Sequence, residues 1–490
     1  MCTSAPARSV PRLAAVCGGA LLAGVFGGCA VGPDYVRPPA PPVTHYAGGA
    51  DPQVTVAAQG TAQRFATASQ LTADWWHVFR SAKLDAVVAE ALAGNPGLEA
   101  AQASLRASED SLRSGYGIFL PHVDADARAT RERFAPASLG QKASGSVFNL
   151  FTLSASASYA LDVFGGERRM IESLGAQRDL QRASERATYV TLVANVVNTV
   201  VAAAAYRAQL EATRQLVDLE REQVSLADVR AQAGTAPYAN VLALRGELAT
   251  SQGEIPQLEQ KLAQSEDLLA TLVGRVPAQW QVPDIALADL TLPGDLPLSL
   301  PSQLVAQRPD VLMAEAAAHA ASANVGVATA ALLPSLTLNG SYGANGLNTG
   351  SILAAGGRAW SVAGDLSAPL FQGGTLWFRR RAAVEDYHQA AALYRQTVLG
   401  AFAQVADTLR ALEHDAAALQ AEDAALEAAQ QALQLVQANY ASGVAGYLDV
   451  LNADTQYHLA RISDLQGVAA RFQDTVALYV ALGGGWWNPP

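Results

Sequence analysis

Cysteine is nearly absent: three in 490 residues, at Cys2, Cys17 and Cys29. That excludes a disulfide framework. Methionine is as rare (Met1, Met170, Met313), and the seven histidines (His45, His77, His122, His319, His388, His414, His458) have no ligand-like spacing. A metal relay or resident metal is therefore not expected. Only 7% of the chain is aromatic. Alanine dominates the apolar half, which suits close helix packing better than a thick globular core. No nucleophile elbow, metal-binding helix motif or phosphate-cradling glycine loop occurs, so neither an enzyme nor a cofactor is expected. A net charge of −11 argues against a nucleic-acid partner. Past the N-terminus there is no run of about 20 apolar residues, so no transmembrane helix is expected.

What is present begins at the N-terminus. Arg8 and Arg12 precede the apolar stretch "LAAVCGGALLAGVFGG", which is too short to span a bilayer. "VFGGCAVGPDY" then looks like a bacterial lipobox, with Cys29 as the acylated first residue of the mature chain. Residues 1–28 read as a lipoprotein signal peptide. Its removal takes away Arg8 and Arg12 and no acid, moving the charge from −11 to −13. Ala30, rather than Asp, after the cysteine favours sorting to the outer membrane.

The stretch "FTLSASASYALDVFGG", from Phe151, alternates apolar with small polar residues. This period of two is a strand signal, and the run is longer than a typical strand of roughly 5–6 residues. Three more such segments occur, giving strands at about 119–134, 148–163, 333–345 and 359–371. Glycines at Gly166 and Gly374 serve the turns that follow, by permitting unusual backbone angles.

The chain is duplicated. A helical pattern opened by Pro96 and closed at Pro121 returns between Pro309 and Pro334, as expected for a residue that suits a first helical turn and breaks an interior. Each half then reads two strands, a long helix (about 167–233 and 375–442), a glycine turn at Gly234 or Gly443, and a returning helix (238–275 and 447–482). Gly234 to Gly443, Tyr238 to Tyr447 and Asn240 to Asp449 share one offset of 209. The division is 29–94 (lipid-anchored segment, with Trp75, Trp76 and Phe79 packing it), 95–276 (first repeat), 277–302 (Pro-rich connector), 303–482 (second repeat) and 483–490 (tail).

Four strands cannot close a barrel, and an open sheet edge is not tolerated in lipid. Helices of about 65 residues, or roughly 100 Å, are also too long to pack within one such chain. Both problems disappear if several chains share a barrel and a helical tube. The strands are then membrane staves with one face to lipid and one to water.

At this point the sequence resembles the TolC-like outer-membrane factors, in their NodT-type lipoprotein branch that serves RND efflux pumps. The stretches that carry the resemblance are "CAVGPDYVRPPAP", "DWWHVFRSAKLDAVVAEALAGNPGLEAA", "SYALDVFGG", "RPDVLMAE", "ALLPSLTLNGSYG", "SAPLFQGG" and "LYVALGGGW", in order along the mature chain. It implies a mixed α/β membrane protein: a homotrimer with a twelve-stranded outer-membrane β-barrel, four strands per chain, continuous with a periplasmic α-helical coiled-coil tube. It also implies a periplasmic adaptor meeting the tips at Gly234 and Gly443, an inner-membrane RND transporter that supplies the energy, and passive conduction of drugs or other small solutes. In the family the tube closes where the last helix begins, through an apolar residue and an acid one turn later. These positions fall at Leu448 and Asn452, so an acidic ring would need Asp449 or Asp454 instead. The alternatives are metal-cation efflux or type I protein secretion through the same duct, or a structural periplasmic coiled-coil lipoprotein.

Overall fold

The computed structural model describes residues 30–46, 48–49, 51–66, 71–134, 145–352 and 354–488. Residues 1–28, expected to be a signal peptide, and Cys29 lie outside the described residues. The elements run β1 (Arg64–Ala66), α1 (Ala82–Gly94), α2 (Pro96–Gly115), β2 (His122–Phe134), β3 (Ser146–Leu161), α3 (Gly166–Gln232), α4 (Tyr238–Leu272), β4 (Asp295–Pro297), α5 (Pro301–Gln307), α6 (Pro309–Ala330), β5 (Ser335–Gly346), β6 (Arg358–Ser367), α7 (Thr375–Ala441) and α8 (Tyr447–Ala481). They fall into two compact units.

The first unit holds residues 106–180, 315–393 and the segment up to Arg37. Its centre is an antiparallel sheet in the order β2-β3-β5-β6. The strands are 13, 16, 12 and 10 residues long, close to the spans that alternation predicts. The left-handed residue after β3 is Gly165 (φ +79°), not Gly166, which starts α3. After β6 the expected Gly374 is left-handed (φ +84°), with Gly373 beside it. Residues 30–37 are fastened to this unit. The Val31 N–H donates to the Phe164 carbonyl at 3.0 Å. The buried Arg169 guanidinium donates to the Val31 carbonyl, to Asp34 at 2.6 Å and to Glu172 at 2.7 Å. Glu172 in turn meets His319 Nε2 at 2.9 Å, and Tyr35 stacks on that imidazole.

The second unit holds residues 38–105, 181–314 and 394–490. Trp75 is 1% exposed and Phe79 fully buried. Trp75 stacks on Tyr479, and Phe79 packs on Phe472. Around them lie Val193, Val196 and Val197 of α3, Leu409 and Leu412 of α7, and Val476 of α8. By length and composition α3 could cross a membrane, which the reading of the sequence did not expect. Its apolar run around Val193–Ala205 is instead buried in this core.

The connector is more structured than its prolines suggest. β4 pairs in parallel with β1, and Leu290, Leu296 and Leu298 are buried. The tail also packs: the Trp486 indole N–H donates to the Gln307 carbonyl at 2.8 Å, and the Asn488 amide to Leu71.

Candidate functional site

The register sorts the sheet into two faces. On one, Leu153 pairs with Ala127 and Ala344, Ala155 with Ala125 and Tyr342, Tyr159 with Leu338, and Tyr342 with Trp360. On the other, Ser154 pairs with Asp126, Ser156 with Asp124 and Ser341, and Thr337 with Asp365. The polar face is knitted across strands. Asn339 Nδ2 donates to Asp365 at 2.7 Å, Ser341 and Ser361 hydroxyls meet at 2.8 Å, and Thr152 donates to Asn345 at 2.8 Å. A one-residue slip would exchange the faces, so the side-chain pattern fixes the pairing. Trp360 and Val362 are 75% and 79% exposed. A sheet with one exposed face that is apolar along its middle, with Arg131, Arg133, Asn149 and Arg358 towards one end, and one hydrogen-bonded polar face suits a wall between lipid and water.

The tips repeat each other. Five residues separate α3 from α4 and α7 from α8. Gly234 (φ +69°) and Gly443 (φ +78°) take the left-handed conformation that closes a helix. The Thr235 N–H returns to the Arg230 carbonyl at 2.9 Å and the Val444 N–H to Asn439 at 2.8 Å. Nothing stands within 4 Å of a Cβ placed on either glycine, so the backbone angle is the constraint there and not crowding.

Just past Gly443, the candidate gate residues separate by environment. Leu448 is half-buried, and Asp449 and Asn452 are exposed. The Asp449 carboxylate accepts from the Gly446 N–H at 2.8 Å. It therefore also starts the helix, as an acid in the first turn does. Asp454 is half-buried, 3.6 Å from His458. Burial raises its pKa, while His458 opposes the shift. The structure thus brings Leu448 and Asp449 to one helix start and leaves Asp454 turned towards a buried neighbour.

One contact at this tip is invisible in the sequence. The Tyr447 hydroxyl donates to Glu222 Oε2 of α3 at 2.6 Å. Only the repeat offset singles out Tyr447, and nothing local points to a partner 225 residues earlier. Farther along, Gln223 Nε2 donates to the buried Thr455 hydroxyl at 2.8 Å. Together they tie the first turns of α8 to α3. Tyr447→Phe is expected to speed amide exchange over residues 447–451 and leave 468–478 unchanged. Equal exchange in both proteins would show that the bond does not hold this turn.

Comparison with known proteins adds four findings. The family model described as outer membrane efflux protein matches residues 87–275 and 300–484. The pyoverdine export outer membrane protein OpmQ of Pseudomonas putida is 31% identical over 418 residues, covering 84% of this chain and 88% of that protein. The outer membrane protein OprJ of Pseudomonas aeruginosa is 30% identical over 467 residues, covering 95% of each. Among solved structures, the outer-membrane channel OprN superposes with a TM-score of 0.81 at 27% identity, over 94% of this chain and all of that one.

Proposed function

From a chain that belongs to the outer membrane efflux protein family, and is accordingly an outer-membrane exit channel, we propose a trimer that passively conducts small organic solutes handed to it by a periplasmic adaptor and an inner-membrane RND transporter. The observation that carries the trimer is the four-stranded sheet with β2 and β6 at its two open edges. In lipid each unpaired backbone group costs several kcal/mol. Pairing β6 of one copy with β2 of the next satisfies both edges, and three copies close twelve strands. The apolar face then meets lipid, and the polar face, with Asp124, Asp126 and Asp365, lines water.

The solute class is inferred from OpmQ, whose name concerns pyoverdine export. The reading assigns no reaction and no cofactor to this chain. Leu448 and Asp449 are proposed as the periplasmic gate, and the turns at Gly234 and Gly443 as the surfaces an adaptor meets. Cys29 is proposed as the lipid-bearing residue. Its successor Ala30 lies against Gly165, with the Ala30 Cα 2.5 Å from where a Gly165 Cβ would stand. Ala30 therefore lies beside the β3-to-α3 turn, where headgroups of the inner leaflet would begin.

One preparation tests these points. Native mass spectrometry of the detergent-solubilised protein should give three chains, each starting at an acylated Cys29. The same sample in planar bilayers should conduct. A dominant folded monomer, or a trimer that never conducts, would overturn the assembly. An unacylated N-terminus would overturn the anchor alone.

A further inference from the structure

The apolar face of the sheet in the first unit carries charge only as arginine. On β2 this face runs from Val123 through alanines to Arg131 and Arg133. On β6 it starts at Arg358 and continues with Trp360 and Val362. The rows between, on β3 and β5, are uncharged. All three arginines are exposed, and among the described residues none has a side-chain ion pair or hydrogen bond.

The three stand at one end. Every long helix joins the sheet where β2 and β5 begin and β3 and β6 finish, and the arginines lie at the opposite end. The chain is an outer-membrane channel with its helices on the periplasmic side, so the opposite end meets the outer leaflet. The pairing rows there are stepped. β2 ends opposite Ser146, while Arg358 pairs with Ala344, in the row of Leu153. At the helix end the step has the same sense: β2 starts opposite Ser158, while β6 finishes opposite Ser335, past the row of Leu161. A step of one sense at both ends is the stagger of strands tilted in a barrel. The tilt then brings the end of β2 and the start of β6 to one rim.

Aromatic residues mark the depth. Trp360 and its cross-strand partner Tyr342 lie one step inward of Arg358 on the same face. Phe151 lies one step inward of Asn149, the partner of Arg131. Aromatic girdles sit at the interfaces of outer-membrane barrels, so the arginines stand in the headgroup layer. Gly357 fixes where β6 starts, because a Cβ there would strike the Asn345 carbonyl.

In the proposed trimer, β6 of one copy runs antiparallel to β2 of the next, which sets the first residue of β6 beside the last residues of β2. We propose that Arg131 and Arg133 of one copy and Arg358 of its neighbour form a site, at each seam of the trimer, for the phosphate groups of an outer-leaflet glycolipid. The site rests on the trimer reading, because its arginines come from two copies. A guanidinium matches a phosphate with paired hydrogen bonds, and no acid on this face opposes it. The apolar surface directly inward, with Trp360 and Val362, offers acyl chains a place that a free anion would not use.

The test is native mass spectrometry of the purified trimer in mild detergent, titrated with bisphosphorylated lipid A. One lipid per seam is expected. Lipid A stripped of its phosphates should bind at least about tenfold more weakly, and millimolar inorganic phosphate should not displace the intact lipid. Arg358→Gln should weaken binding at least about tenfold, and so should Arg131→Gln combined with Arg133→Gln. If one of these variants assembles poorly, the other carries the comparison. Arg128→Gln is the control: this exposed arginine is on the same strand but on the polar face, paired with Thr152, and its loss should leave binding unchanged. An equal loss in Arg128→Gln would reduce the effect to general charge attraction and overturn the site. Binding that survives removal of the phosphates, or yields to millimolar inorganic phosphate, overturns the glycolipid. A loss confined to one of the two strands overturns the shared seam. A trimer that binds no lipid A overturns the site and leaves the assembly standing, whereas a preparation that is not trimeric overturns both.

Discussion

Leu153→Arg is expected to yield no folded trimer, while Ser154→Arg, one residue on, yields trimer close to wild-type levels. The two positions sit near the middle of β3, the longest strand of the sheet. Leu153 lies on the apolar face between Ala127 and Ala344. An arginine on the lipid face of a barrel near the bilayer midplane costs about 2–4 kcal/mol. Three copies would bring the cost to about 6–12 kcal/mol per trimer, comparable with the whole stability of many proteins. Ser154 lies on the opposite face between Asp126 and Gly343. A guanidinium there finds water and a carboxylate across the strand. Trimer yield by native mass spectrometry, or by a heat-stable band in mild detergent, separates the outcomes. Equal yields from the two variants would mean that the faces are not lipid and water, and the shared barrel would lose its physical basis.

This contrast was legible in the sequence because a strand's side chains alternate whatever the chain packs against. The helix limits were legible for a similar reason. Pro96, Pro309, Gly234 and Gly443 act on their own backbone, and α3 and α7 end within a residue of the expected points. What stayed hidden depends on pairs of residues far apart in the chain. The β1–β4 ladder is three residues on each side, too short for any periodicity, and one of those residues is Pro297. Prolines made 277–302 read as a connector, although Leu290, Leu296 and Leu298 are buried. Arg471 and Asp464 look like ordinary charges on a solvated helix face. Only the fold shows that Arg471 is fully buried and that Asp464, also buried, accepts from the Gln59 side-chain amide. Glu222 likewise gives no local sign that it holds Tyr447.

The candidate gate lies where these two kinds of information meet, since Leu448 and Asp449 were placed by position along the helix and their surroundings come from the fold. Leu448→Ala is expected to raise the conductance of the isolated trimer at least about twofold, because three shortened side chains around one axis widen a dry constriction. Cells carrying it should become sensitive to large antibiotics that the wild type excludes. Asp449 needs a gentler change. Its carboxylate accepts the Gly446 N–H, and alanine would also remove that bond, at about 1 kcal/mol of helix-start stability. Asp449→Asn keeps an acceptor and removes the charge, so it should lower cation preference with little change in conductance. Asn452→Ala, exposed and uncharged, should alter neither. Each variant must first run as a trimer, which separates gating from assembly. If Leu448→Ala conducts like the wild type and Asp449→Asn keeps the same ion preference, the constriction lies elsewhere. The tie from Tyr447 to Glu222 would then be a structural clasp with no gate beside it.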